Sequence, residues 1–295
     1  MKPKLLITGG TGFIGQALIP TLCDWDITVL SRSREKTRSL FGESVAWVGN
    51  VPELSGFDAV INLAGEPIAD KRWTKVRKQR ICQSRWQLTE ELVQAIARAE
   101  QPPRVLISGS AIGYYGAQPS TTSITEEFTQ PHDEFAHRLC ERWEALAKEA
   151  MPHCRVCLLR TGLVLDQGGG ALKKMLPAFR LGLGGRIGDG EQIMSWIHRD
   201  DMVAIIRFLL EHDELSGAFN CTAPFPVSNQ AFAKALGHAL HRPALLPVPA
   251  PALRLMLGEM SELLLTGQKV IPARLLAAGF QHRYPRIEEA LQASL

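Results

Sequence analysis

Nine residues near the amino end restrict this chain more than any others: Ile7-Thr8-Gly9-Gly10-Thr11-Gly12-Phe13-Ile14-Gly15, continuing the apolar pair Leu5-Leu6. A buried parallel strand is predicted to end near Thr8, and a helix to open near Phe13 and Ile14. Gly9 then permits the tight turn. Gly12 lets the main chain approach phosphates with no β-carbon in the way, and Gly15 lets the helix pack closely on its strand. The free N–H groups of that helix start face an anion, with the helix dipole assisting. Glycine-rich turns are common, but one placed between strand and helix points to a dinucleotide pyrophosphate.

The next strand, Ile27-Thr28-Val29-Leu30, runs into Ser31-Arg32-Ser33-Arg34, and no carboxylate appears until Glu35. A site selective for NAD places Asp or Glu there, to accept from the ribose hydroxyls. A guanidinium instead pairs with a 2′-phosphate through a planar fork of donors, and a hydroxyl adds another bond. Ser31 and Arg32 are therefore read as phosphate ligands and the expected cofactor is NADP(H). Lys36 and Arg38 read as the solvated face of the following helix.

The formal net charge of +3 is too small to argue for nucleic acid or an acidic membrane surface. There is no apolar run of spanning length and no basic-then-apolar leader, so the expectation is a cytoplasmic protein with reduced thiols. The six cysteines are scattered. Cys154 and Cys157 have C-x-x-C spacing but sit in Cys154-Arg155-Val156-Cys157-Leu158-Leu159, which reads as a buried strand. No metal site is expected.

Strand and helix signals alternate through the first half: Asp58 to Gly65, a long helix over roughly Trp73 to Ala99, Val105-Leu106-Ile107-Ser108, a helix over Asp133 to Glu149, and Val156 to Arg160. Such alternation predicts an α/β fold, a doubly wound parallel sheet with ligands at the carboxyl ends of its strands. Glycines 168–170 and 182–185 and a cluster of prolines mark a change of character. The expected division is a nucleotide-binding domain over 1–165 and a smaller, mostly helical domain over 166–295. A segment of about 200–222, around Ala218-Phe219-Asn220, is expected to return to the main sheet.

The glycine loop, Asn62-Leu63-Ala64-Gly65, the strand-end serines and Trp196-Ile197-His198-Arg199-Asp200-Asp201 together resemble the extended short-chain dehydrogenase/reductase superfamily. More narrowly, the chain resembles its atypical bacterial epimerase-family branch, through Ser110-Ala111-Ile112-Gly113-Tyr114-Tyr115-Gly116, Arg160 to Leu165 and Leu257 to Pro272. The resemblance implies that Ser31 and Arg32 grip the adenosine phosphate, that Leu63, Ala64 and Gly65 line the cofactor with Ser108, and that Arg85 reaches it from a helix. It implies a small-molecule substrate and a monomer or homodimer.

In that superfamily a Tyr-x-x-x-Lys pair and a serine move the proton while hydride moves to or from nicotinamide. Ser110 fits the serine. The pair should lie on the helix around Phe135 to Glu144, yet its slots hold Ala136 and Cys140 in one register, or Phe135 and Leu139 in the other. Tyr114 and Tyr115 are the substitutes favoured here. His198 with Asp200 and Asp201 reads mainly as the start of a helix capped by Asp200, and His137 reads as solvated. Glu66 reads either as a carboxylate near the nicotinamide or as the start of a loop, and the tryptophans Trp73, Trp86, Trp143 and Trp196 are weaker candidates for an apolar substrate pocket. With no conventional acid or base, two functions stand: an oxidoreductase or epimerase-like enzyme, and a noncatalytic NADP(H) sensor.

Overall fold

A computed structural model describes residues 1–295. Its main sheet is built from β1 (Lys4–Thr8), β2 (Asp26–Leu30), β3 (Ala46–Val48), β4 (Ala59–Asn62), β5 (Val105–Ala111), β6 (Arg155–Thr161) and β7 (Gly217–Cys221). The order is β7-β6-β5-β4-β1-β2-β3, and every pairing is parallel. This is the doubly wound α/β sheet that the alternation predicts. Its order reverses at β1, so the crevice for a ligand lies between the carboxyl ends of β1 and β4.

The crossovers carry α1 (Phe13–Leu18), α2 (Arg34–Phe41), α3 (Lys75–Arg98), α4 (Phe135–Lys148) and, before β7, α5 (Gly170–Arg180) and α6 (Arg199–Glu211). The strands are apolar on both faces because both are covered. Leu5 and Ile7 join Leu18, Met202, Ile206 and Leu209 on the α1 and α6 side. Leu6, Val60 and Leu106 join Leu92, Ile96 and Ala147 on the α3 and α4 side. Full burial of each such side chain contributes about 1.5–3 kcal/mol.

Two helix starts fall slightly inside the predicted limits. Thr74 stays extended and accepts from the Arg77 N–H, so α3 begins at Lys75 rather than Trp73. Glu134 is likewise extended, so α4 begins at Phe135. The segment predicted to return does so as β7, with Ala218 opposite Leu158. Of the C-terminal elements, α5, α7 (Asn229–Ala239) and the helix Ile287–Ser294 enclose a separate core of Leu172, Leu176, Trp196, Phe232, Leu236 and Leu291, while Leu275 and Phe280 join the core on the α1 and α6 side. All six cysteines are free thiols; Cys157 is buried in β6 as read, whereas Cys154 lies one residue before the strand and is half-buried. No helix is long and apolar enough to cross a membrane.

Candidate functional site

The glycines of the first loop are required by backbone contacts. Gly9 has φ +69°, and a β-carbon there would fall 2.6 Å from the Leu63 carbonyl carbon. On Gly15 it would fall 2.5 Å from the Gly10 oxygen, and on Gly12 it would fall 3.0 Å from the Gly9 oxygen. Leu63 N–H donates to Thr8 O (3.2 Å) and Ala64 N–H to Thr8 Oγ1 (3.3 Å), which joins the ends of β1 and β4. Across the start of α1 the first bond runs from Gln16 N–H to Gly12 O, so the N–H groups of Phe13, Ile14 and Gly15 find no acceptor in the chain. Bare backbone donors beside a cradle that a β-carbon would fill fit a pyrophosphate.

Beyond β2, Ser31 Oγ bonds the Ser33 backbone at 3.3 Å, and Ser33 caps α2 by accepting from Lys36 N–H. Arg32 is exposed and enters no ion pair, whereas Arg38 pairs with Glu43 at 2.9 Å. Lys36 and Arg38 are exposed, as expected of a solvated face. Arg32 and Arg34 are thus both exposed and outside any ion pair, and Arg32 is the one that directly follows Ser31 at the strand end.

At the ends of β4 and β5, two glycines make room for two large side chains. A β-carbon on Gly65 would lie 2.8 Å from Arg85 Cζ, and one on Gly109 would lie 2.9 Å from the Trp143 ring. Arg85 lies over Trp143, with Cζ 5.2 Å from the ring centroid, and donates to the Glu66 and Ile81 carbonyls at 3.1 Å. Burial pushes its pKa down from the usual value. Glu66 is occupied by Arg77 at 2.5 Å. Ser108 is wholly buried, and its hydroxyl reaches only the adjacent Gly109 carbonyl, at 3.5 Å.

Ser110, 5% exposed, closes β5 and donates to Glu144 Oε1 at 2.8 Å. Glu144 also receives Arg160 Nε (2.8 Å) and Nη2 (2.9 Å), a bidentate pair with neither partner more than 5% exposed. Arg160 continues to the Tyr115 hydroxyl (3.0 Å), and that hydroxyl donates to Asn220 Oδ1 (2.6 Å). Asn220 N–H in turn donates to Glu126, whose other oxygen accepts from Arg274 N–H. The Tyr114 ring centroid lies 3.6 Å from Arg160 Cζ, nearer than that of Tyr115 at 5.0 Å, and the Tyr114 hydroxyl has no partner in the chain. On α4, Ala136 and Cys140 line the turn at Gly113 with Glu144 one step further, while Phe135 and Leu139 face Trp73 and Met260. The register that faces Ser110 is therefore Ala136, Cys140 and Glu144.

Residues 5–222 match the NAD dependent epimerase/dehydratase family. The chain belongs to that family. Residues 248–294 match a domain of unknown function, DUF1731. An epimerase family protein of Arabidopsis thaliana, the chloroplastic homolog of SDR39U1, is 39% identical over 97% of this chain and 85% of its own length. An epimerase family protein of Staphylococcus epidermidis is 38% identical over 98% and 97%. The crystal structure of human epimerase family protein SDR39U1, isoform 2, with NADPH superposes with a TM-score of 0.90 at 35% identity, covering 99% of this chain and 98% of that one.

Within this epimerase-family fold, three local expectations need correction. Asp200 does not cap α6: His198 does, its Nδ1 accepting from Asp200 N–H at 3.1 Å, because the extended residue lies two positions earlier. His137 is not solvated but 7% exposed, with Nδ1 2.6 Å from the Tyr114 carbonyl. The tryptophans do not share one pocket. Trp73 and Trp86 pack with Ile81 and Leu139, whereas Trp196 lies in the C-terminal core. Tyr115 is fully buried with its hydroxyl engaged, and burial pushes that phenol up to about 12.

Sequence reasoning also passed over Glu144 and Arg160 as a pair. A signal existed: Cys140, Trp143, Glu144 and Ala147 form the buried stripe of α4, so Glu144 is a charge at a core phase. Arg160 likewise ends an apolar strand run.

Proposed function

We propose that this chain is an NADP(H)-binding, oxidoreductase- or epimerase-like enzyme acting on a small molecule, with a proton-transfer centre that dispenses with the Tyr-x-x-x-Lys pair. The observation that carries this reading is the hydroxyl of Ser110, fixed on a buried Glu144–Arg160 ion pair at the carboxyl end of β5. Burying such charges costs several kcal/mol per ion before their attraction is counted, and here the pair holds the Ser110 hydroxyl at its carboxylate end and the Tyr115 hydroxyl at its guanidinium end. Because a carboxylate only accepts, Ser110 spends its proton on Glu144 and offers lone pairs outward. It is thereby suited to receive the hydroxyl of an alcohol.

The free backbone donors of Phe13, Ile14 and Gly15 would hold the cofactor pyrophosphate, and Ser31 with Arg32 the 2′-phosphate. The NADPH in the human relative's structure supports this. When bound, the nicotinamide supplies or accepts the hydride. Tyr114, with an unengaged hydroxyl beside Arg160, is the phenol left to move the proton, since Tyr115 is enclosed. Cys140 adds no base, because burial pushes its thiol up to about 12.

A noncatalytic NADP(H) sensor is the second reading, favoured by Ala136 and Cys140 standing where α4 faces Ser110. Purified protein with NADPH and a panel of aldehydes, ketones and quinones separates the two. Turnover that falls at least tenfold in both Ser110→Ala and Tyr114→Phe supports the enzyme. No turnover, with NADPH still raising the melting temperature or changing the oligomeric state, supports the sensor.

A further inference from the structure

The far end of the C-terminal lobe exposes leucines where a folded protein ordinarily hides them. Leu181 is 74% exposed, Leu183 56%, Leu245 81% and Leu246 50%. They come from two segments tied by backbone bonds: Leu246 N–H to Gly184 O (3.2 Å), Val248 N–H to Arg186 O (2.8 Å) and Gly188 N–H to Val248 O (2.9 Å). The helix α8 (Ala250–Leu257), which follows, leaves Leu255 80% and Met256 70% exposed, buries Leu253 and packs Leu257 against the cluster of Trp73 and Met260. The leucines on the two bonded segments form exposed apolar surface of the kind that marks a contact site.

The charge around it is mainly basic. Residues 171–188 and 231–258 hold seven lysines and arginines; Lys174 pairs with Asp70 and Arg254 with Glu262, while Asp189 and Glu191 follow directly on the first segment. Arg180, Arg186 and Arg242 are exposed and have no carboxylate partner; Arg242 Nε donates to the Arg180 carbonyl at 3.1 Å, which draws the two segments' cations together. Prolines 243, 247, 249 and 251 stiffen the segment that carries Leu245 and Leu246.

From these observations we infer that this tip binds the surface of an anionic lipid bilayer. Protruding leucines enter the acyl boundary, while arginines beside them stay with the lipid phosphates. A second copy of the chain does not suit the patch. A twofold contact sets a surface against itself, and here that brings the unpaired Arg180, Arg186 and Arg242 against their own copies. A peptide does not suit it either, since helices and extended peptides are taken in grooves or along strand edges, whereas these leucines stand outward. The inference is independent of the cofactor site.

Co-sedimentation of the full chain with vesicles tests it. The chain pellets with phosphatidylcholine vesicles containing phosphatidylglycerol, stays in solution with phosphatidylcholine alone, and is released by high salt. Leu181→Ser with Leu245→Ser, and separately Arg180→Gln with Arg186→Gln and Arg242→Gln, each weaken the partition by about tenfold. Because every substituted side chain is exposed, melting temperature and circular dichroism stay at wild-type values. The proposal is overturned if the wild type ignores anionic vesicles, if it binds neutral vesicles equally, or if the folded leucine variant binds undiminished. A dimer in sedimentation equilibrium that the leucine variant loses, with no vesicle binding, would assign the patch to a second copy instead.

Discussion

Arg32 and Glu144 show how differently two charged side chains serve one crevice. Arg32 stands in solvent without a partner, so its value lies in a charge it has yet to meet. Arg32→Ala is expected to weaken NADPH binding by roughly 1.5–3 kcal/mol, about ten- to a hundredfold, and to leave NADH binding nearly unchanged. Calorimetric titration with both coenzymes checks this, and equal losses would remove the phosphate clamp. Glu144 is buried and committed. Glu144→Ala strands Arg160 in the core and should destabilise by about 3–5 kcal/mol in denaturant unfolding. Tyr115, in the same chain of bonds, adds a pH signature. Its folded pKa of about 12 lies above the ordinary 10.0, so the unfolded chain ionises first. Its contribution to stability is complete below about pH 10 and is lost as pH rises towards 12. Melting of Tyr115→Phe should show a shallower alkaline decline than wild type.

At the scale of elements, α1 and α6 were legible to different degrees. The glycine spacing predicted where α1 begins because each glycine answers a local backbone demand, and Gly15→Ala would push a methyl into the Gly10 carbonyl. Loss of NADPH binding with retained secondary structure is expected, and undiminished affinity would contradict it. The start of α6 was misread by two residues, because Asp200 and His198 are both able to cap and only the chain's path decides which one is extended. That path also encloses His198 against Tyr284, with ring centroids 4.1 Å apart. Burial lowers the pKa of His198 below its ordinary 6.5, against opposing pulls from Asp200, Asp201 and Asp166. Burial lowers that of His282 as well, with Asp201 opposing. The unfolded chain therefore takes up these protons first as pH falls, so their stabilisation is present above about pH 6.5 and lost below it. His198→Asn, which retains a capping side chain and cannot titrate, should flatten that acid decline in thermal melts.

At the scale of the molecule, side chains distant in sequence tie the C-terminal lobe to the sheet. Lys174 meets Asp70 at 2.5 Å, Lys78 meets Glu259 at 2.7 Å and Arg199 meets Asp166 at 3.0 Å. Buried Asp201 accepts from the backbone N–H groups of Arg283 and Tyr284. Asp201→Ala leaves two donors unpaired and should cost about 2–5 kcal/mol. Hydrogen exchange should locate the loosening around residues 280–286, and protection unchanged there would refute the tie. The sequence by itself determined the parallel sheet, the glycine cradle and the cation at the end of β2, because hydrophobic period and backbone sterics act over a few neighbouring residues. Only the tertiary structure decided that Tyr115 is enclosed, that Glu144 and Arg160 meet under Ser110, and that Arg242 is bonded to the segment of Arg180 and Arg186. Those depend on which distant segments exclude water from one another, and a formal net charge averages away where the charges stand.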